Sequence, residues 1–154
     1  YHFLTLNGYY EKYPNMRICF AHGGQLAQMN LGRRIQGFDG RPDLFEGKEH
    51  PRKAVGHKNI FFDTLVHDTG SLDLLIKNQG SKQVLIGLDD PYPLGEMESD
   101  KQSSYPGKIL DLAIDRNIIT ENEKDEMWED NVLQWLFGDD TKAKEEMVNR
   151  ILEK

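Results

Sequence analysis

The sequence predicts an α/β fold built on parallel strands, and three observations lead there. Short apolar runs recur at residues 17–21, 59–66 and 83–88, each bounded by glycine or polar residues. Between the last two lies an apolar pattern of helical period, so strand, helix and strand follow one another as the βαβ unit that a parallel pair requires. The third run, Val84-Leu85-Ile86-Gly87-Leu88, is apolar on both faces, as strands inside a helix-covered parallel sheet are.

Taken in order, residues 1–13 mix aromatics with Leu4, Leu6 and Gly8 and stop at Pro14-Asn15, which reads as the tail of a helix without a capped beginning. The first strand ends in His22-Gly23-Gly24, where glycine lets the backbone turn sharply or approach a ligand. Helical spacing resumes near Gln25, with Leu26, Met29 and Ile35 as its apolar positions. Residues 39–58 form a long polar excursion, of a length uncommon unless functional. The second strand carries Ile60, Phe61, Phe62, Leu65 and Val66. A helix follows that Asp68 or Ser71 can cap, with Leu72, Leu75 and Ile76 on one face and Gly80 as its stop.

After the third strand and a polar stretch at 98–106, residues 108–118 are expected to be helical with Ile109, Leu112, Ala113 and Ile114 inward. Thr120 and Glu123 match a capping box that opens the next helix. Trp128, Val132, Trp135 and Leu136 are its expected core stripe. Gly138 to Thr141 break the chain, and the last helix gathers Met147, Val148, Ile151 and Leu152 on one face. Three parallel strands close no barrel and cover no sheet fully, so the chain reads as part of something larger.

Bulk properties narrow the function. The 154 residues, 38% of them apolar, suffice for one core of ordinary size. A net charge of -7 with no basic stripe argues against a nucleic-acid partner, since phosphates are bound through Lys and Arg. The single cysteine, Cys19, sits in an apolar run; an intrachain disulfide and multi-cysteine zinc sites are excluded, and a reduced, cytoplasmic setting is expected. Apolar runs fall far short of the roughly 20 residues that cross a bilayer, so no membrane partner is expected.

Two residues stand out chemically. Asp89 ends an apolar strand, where a carboxylate is costly to bury unless metal, base or hydrogen bonds hold it. His22 ends another strand before two glycines, placed either as an acid/base facing a crevice or as a hydrogen-bonded structural histidine. The five histidines form no H-x-H or H-E-x-x-H pair, so no self-contained metal site is written here. His50 and His57 are expected in solvent, and His67 as a loop anchor.

Residues 17–24 (RICFAHGG), Gly32-Arg33, 41–44 (RPDL), 63–68 (DTLVHD) and 87–96 (GLDDPYPLGE) resemble, in that order and spacing, the C-terminal half of the 2-amino-3-carboxymuconate-6-semialdehyde decarboxylase family of the amidohydrolase superfamily. The resemblance implies an α/β fold that is the C-terminal portion of a metal-dependent (β/α)8 TIM barrel. Residues 1–137 would hold its sixth to eighth strands, and 138–154 a C-terminal amphipathic helix. It implies that His22 is the general acid/base beside a metal-bound water, that Asp89 ligates a divalent metal, usually Zn2+, and that Arg33 reaches a neighbouring subunit's site to hold a substrate carboxylate. It further implies non-oxidative decarboxylation of a small unsaturated carboxylic acid, with a hydrolase or hydratase on the same scaffold as the alternative. The first-strand H-x-H and the strand-five histidine of the family have no counterpart, and Gln25, Leu88 and Asp90 depart from its pattern. A non-catalytic, truncated half-barrel is therefore the rival reading, and a homodimer or association with an N-terminal half is expected because half a barrel exposes edges and apolar surface.

Overall fold

In the computed structural model, which describes residues 1–98 and 104–153, three short strands run parallel in one sheet in chain order. The elements are α1 (His2–Leu6), α2 (Tyr9–Lys12), β1 (Ile18–Phe20), α3 (Leu26–Met29), α4 (Leu31–Gly40), β2 (Ile60–Asp63), α5 (Thr69–Gln79), β3 (Val84–Leu85), α6 (Lys108–Asp115), α7 (Glu121–Trp128), α8 (Asp130–Phe137) and α9 (Thr141–Leu152). Ile18 pairs with Ile60 and Phe20 with Phe62 across β1 and β2, while Phe62 and Asp63 pair with Val84 and Leu85 of β3. Among the described residues β1 therefore has a strand neighbour on one side only.

The central strand is apolar because both its faces are covered. Ile60, Phe61 and Phe62 are all buried, and Phe62 packs in one core with Leu72 and Leu75 of α5, Val84 of β3, Leu110 and Ala113 of α6, and Met127 of α7. Burying each such side chain stabilises the fold by about 1.5–3 kcal/mol. The expected start of α5 is realised through Asp68, whose carboxylate accepts from the Ser71 N–H at 2.9 Å and the Ser71 hydroxyl at 2.6 Å. Gly80 ends that helix at φ 87°. The Thr120–Glu123 capping box is formed at the start of α7.

Several expectations need correction. The opening helix is broken at Gly8 (φ 62°), and the helix opened by Thr120 is interrupted at Glu129 (φ -123°, ψ -69°). The second and third strands are shorter than their apolar runs, since the chain leaves the sheet after Asp63 and after Leu85 to form the loops described below. Trp128, Leu112 and Leu136 are exposed, and their inward places are taken by Met127, Leu110 and Asn131. Asn131 earns its burial by donating to the carbonyls of Val84 (2.6 Å) and Ser81 (3.0 Å), which fixes α8 to β3. Leu26 and Met29 are likewise exposed, whereas Ala27, Gln28 and Leu31 turn inward. No residue of α9 is buried.

His50 and His57 are tethered rather than free in solvent. One ring nitrogen of His50 accepts from the Arg52 N–H at 3.1 Å and the other meets Asp39 at 3.1 Å. His57 accepts from the Asn59 N–H at 3.2 Å and packs edge-on against Tyr10, with ring centroids 4.6 Å apart. Both lie in the polar excursion, which folds back through 3₁₀ turns at Pro42–Leu44 and Pro51–Ala54. Burial beside Asp63 pushes the Cys19 thiol up to about 12, which suits an inert, packed cysteine. Of the polar stretch at 98–106, residues 99–103 lie outside the described residues. Among the described residues no helix is long and apolar enough to cross a membrane.

Candidate active site at the strand ends

Past β1 the chain enters a left-handed turn in which His22, Gly23, Gly24 and Gln25 all have positive φ, at 56°, 61°, 68° and 39°. The glycines are required by space as well as by conformation. A Cβ at Gly23 would lie 2.4 Å from a Val66 methyl, and one at Gly24 2.8 Å from the Phe62 ring. Buried amides hold the turn in place: the Gln28 side chain donates to the Gly23 carbonyl at 3.1 Å, and Gln79 donates to Gln28 at 3.0 Å. The outcome is a half-buried imidazole at the end of the sheet.

Past β3 a second device presents Asp89, itself left-handed at φ 57°. Its loop is closed by three backbone bonds: Tyr92 N–H to Asp89 (2.8 Å), Gly95 N–H to Tyr92 (2.8 Å) and Glu96 N–H to Leu88 (2.9 Å). The buried Glu96 carboxylate then accepts from the N–H groups of Gly107 and Ile109 at 3.2 and 3.1 Å, joining the loop to the free donors at the start of α6. Burial pushes the Glu96 carboxyl above its usual range, against the pull of these two donors.

The two devices open on the same space. A cleft of about 620 Å3 at the strand ends is lined by His22, Gln25, Val66, His67, Leu74 and Asp89 among others. A smaller cleft of about 340 Å3, bordered by His67, Leu94, Glu96 and Lys108, adjoins it. His67 is exposed, takes φ 65° and borders both. Gln25, one of the departures from the family pattern, is exposed and lines this cleft.

Arg33 lies elsewhere: it is exposed on α4 and does not line the cleft of its own chain. Its neighbour Arg34 turns inward, stacking 4.9 Å from the Tyr1 ring centroid and donating to the Ala27 carbonyl at 3.1 Å. Among the described residues no three His, Cys, Asp or Glu side chains gather as a metal site. His22 and Asp89 are too few donors to hold a divalent ion by themselves.

Two structural carboxylates were missed by sequence reasoning, Glu96 and Asp63. One oxygen of Asp63 accepts from the N–H groups of Gly23 and Leu65, both at 3.1 Å. Asp63 ends β2 in the structure, whereas the apolar run of the sequence continues past it to Val66, so the sequence carried no strand-end signal there.

Comparison with known proteins gives the same direction. The chain is 33% identical over 141 residues to a 2-amino-3-carboxymuconate-6-semialdehyde decarboxylase of Dictyostelium discoideum, covering 90% of this chain and 36% of that protein. It is 42% identical over 88 residues to the Caenorhabditis elegans protein of that name, covering 56% of this chain and 21% of the relative. The chain thus spans about a third or less of these relatives. No family model matches it. Among solved structures, 4-oxalomesaconate hydratase from Rhodopseudomonas palustris superposes with a TM-score of 0.63 at 22% identity, over 92% of this chain and 41% of that one. A 5-carboxyvanillate decarboxylase from Sphingomonas paucimobilis gives 0.60 at 20%, over 85% and 36%. A dihydroxybenzoic acid decarboxylase from a Polaromonas species, with bound manganese, gives 0.55 at 18%, over 84% and 36%. In sequence the chain resembles 2-amino-3-carboxymuconate-6-semialdehyde decarboxylases, and in fold it resembles part of an amidohydrolase-type barrel.

Proposed function

We propose that this chain supplies strands six to eight, and one wall of the active site, of a decarboxylase acting on a small unsaturated carboxylic acid. The observation that supports the reading is the shared cleft: an imidazole from the end of β1 and a carboxylate from beyond β3 open on one space at the C-terminal ends of parallel strands. That is the end at which barrel enzymes keep their chemistry. The named activities of the relatives add to it.

In this reading His22 holds and delivers a proton to the substrate carbon that loses carbon dioxide, a role that contributes about 10²–10⁴-fold. Asp89 gives one carboxylate to a divalent cation, zinc or manganese, whose other donors come from outside the described residues. Arg33, exposed and outside the lining of its own cleft, holds a substrate carboxylate in a neighbouring subunit with a bidentate fork. The assembly is a homodimer of complete barrels, or this chain joined to the strands that precede it in its relatives. A cytoplasmic setting fits the free, half-buried Cys19. A hydratase is the second reading, favoured by the likeness to 4-oxalomesaconate hydratase.

The test is a paired assay of the protein, alone and co-expressed with the remaining strands of the Dictyostelium relative. Carbon dioxide release from 2-amino-3-carboxymuconate-6-semialdehyde is followed beside hydration of 4-oxalomesaconate. Release that disappears in His22→Ala and Asp89→Ala supports the proposal. Hydration without release replaces it with the second reading, and neither activity in either preparation overturns both.

A further inference from the structure

We infer that Asp63 is the positioning residue of this cleft: a single carboxylate that sets the turn presenting His22 and meets the strand end leading to Asp89. It rests on the proposed function only for what the cleft does, not for the geometry. β2 is the central strand, so its last residue lies between the ends of both neighbours. Toward β1, Asp63 Oδ1 accepts from the Gly23 N–H at 3.1 Å, in the peptide that joins His22 to Gly23. Just beyond its own strand the same oxygen accepts from the Leu65 N–H at 3.1 Å, where the chain turns toward Val66 and His67. Toward β3, a Cβ placed on Gly87 would lie 2.5 Å from Asp63 Cβ, 2.8 Å from Cγ and 2.9 Å from Oδ2.

Glycine at 87 is therefore a steric condition for the Asp63 rotamer, two residues before Asp89. The condition is spatial, because Gly87 is absent from the left-handed positions, so an alanine there meets no backbone penalty of its own. At Gly23 the demand is of another kind. His22 is a non-glycine residue in the left-handed region, a conformation that costs energy unless held, and a carboxylate acceptor strengthens the bond that fixes the following Gly23 N–H. Asp63 touches no proposed substrate position and acts through others.

The experiment compares the full chain with Asp63→Ala, Asp63→Asn and Gly87→Ala. It reads amide hydrogen exchange at Gly23, the ring resonances of His22 against those of His50 and His57, and global stability in urea. In Asp63→Ala, Gly23 exchange is expected to rise about ten- to hundred-fold relative to the global unfolding limit, with His22 resonances moving while those of His50 and His57 stay. Asp63→Asn retains an acceptor oxygen and is expected to restore most of the protection. Gly87→Ala leaves the carboxylate in the chain but displaces it, and is expected to reproduce the Asp63→Ala signature. Unchanged Gly23 exchange and His22 resonances in Asp63→Ala, or in Gly87→Ala should the former fail to fold, overturn the inference. Because no readout is enzymatic, loss of the proposed decarboxylase activity would leave this result standing.

Discussion

Arg17 reaches across 118 positions to Trp135: its Nε donates to the Trp135 carbonyl at 2.6 Å, and its Nη2 donates to the Leu136 carbonyl at 2.8 Å. These are carbonyls of the last turn of α8, which have no partner within the helix, and a cation there also complements the helix dipole. The residue that leads into β1 thus secures the C-terminal helices to the sheet. Arg17→Met keeps the stem and removes both donors, and is expected to destabilise the fold by about 1–2 kcal/mol, since the site is partly exposed. Urea denaturation monitored by tryptophan fluorescence measures it; an unchanged midpoint would show the clamp to be idle.

Gln25 occupies φ 39°, ψ -113°, a conformation that glycine adopts readily and side chains do not. Gln25→Gly is expected to stabilise the protein by about 1 kcal/mol, the released strain exceeding the added chain entropy. A lower melting temperature for the variant would contradict this account of the turn.

For Gly23 the opposite sign is expected. Gly23→Ala combines a left-handed alanine with a methyl 2.4 Å from Val66 Cγ1, and about 2–4 kcal/mol should be lost. Adding Val66→Ala removes the struck methyl, so the double variant should be less destabilised than the sum of the single ones. Strict additivity would mean that the collision is relieved elsewhere.

His57 makes stability depend on pH. Burial lowers its pKa from the ordinary 6.5, in keeping with a ring nitrogen that must stay unprotonated to accept from Asn59. Between the folded and unfolded values the unfolded chain binds more protons, so stability rises with pH there. The contribution is complete above about 6.5 and is lost as pH falls through the lower, folded value. His57→Phe keeps the contact with Tyr10 and should flatten part of the slope of urea midpoint between pH 5 and 7.5. His2 and the N-terminal amine of Tyr1, whose pKa values burial also lowers, add to the slope, while the raised Glu96 carboxyl opposes it at the acidic end. An identical slope in the variant would assign the whole effect to other groups.

Arg33 is exposed, so Arg33→Met should change stability by less than about 0.5 kcal/mol. In the proposed assembly, the carboxylate contact predicts a KM raised about ten- to hundred-fold with kcat little altered. Steady-state kinetics on the complete protein decide it, and an unchanged KM would withdraw the contact.

The parallel βαβ core was legible because its signals are local and redundant. Asp68, the Leu72–Leu75 spacing and Gly80 each fix one end or one face of α5, and Ile60 to Phe62 leave no polar face for solvent. The later helices were harder to orient. Trp128 and Leu136 follow helical spacing, but the break at Glu129 turns the face that Met127 and Asn131 bury away from them. That His22 and Asp89 border one cleft was legible from one rule, polar groups that follow apolar runs. Asp63 escaped that rule because it lies inside the apolar run 59–66 and ends β2 only where the folded chain leaves the sheet; its partners Gly23 and Gly87 are reached only through the sheet. Glu96, buried at the start of α6, stood out in the sequence only as the end of a proline- and glycine-rich run.

The outer edge of β1 dictates what can complete this sheet. Among the described residues that edge has no strand partner, and a neighbour that continues the parallel order could not be joined to β1 by a tight hairpin. A neighbour of that kind comes with its crossover, so strand and helix would join the sheet as one unit.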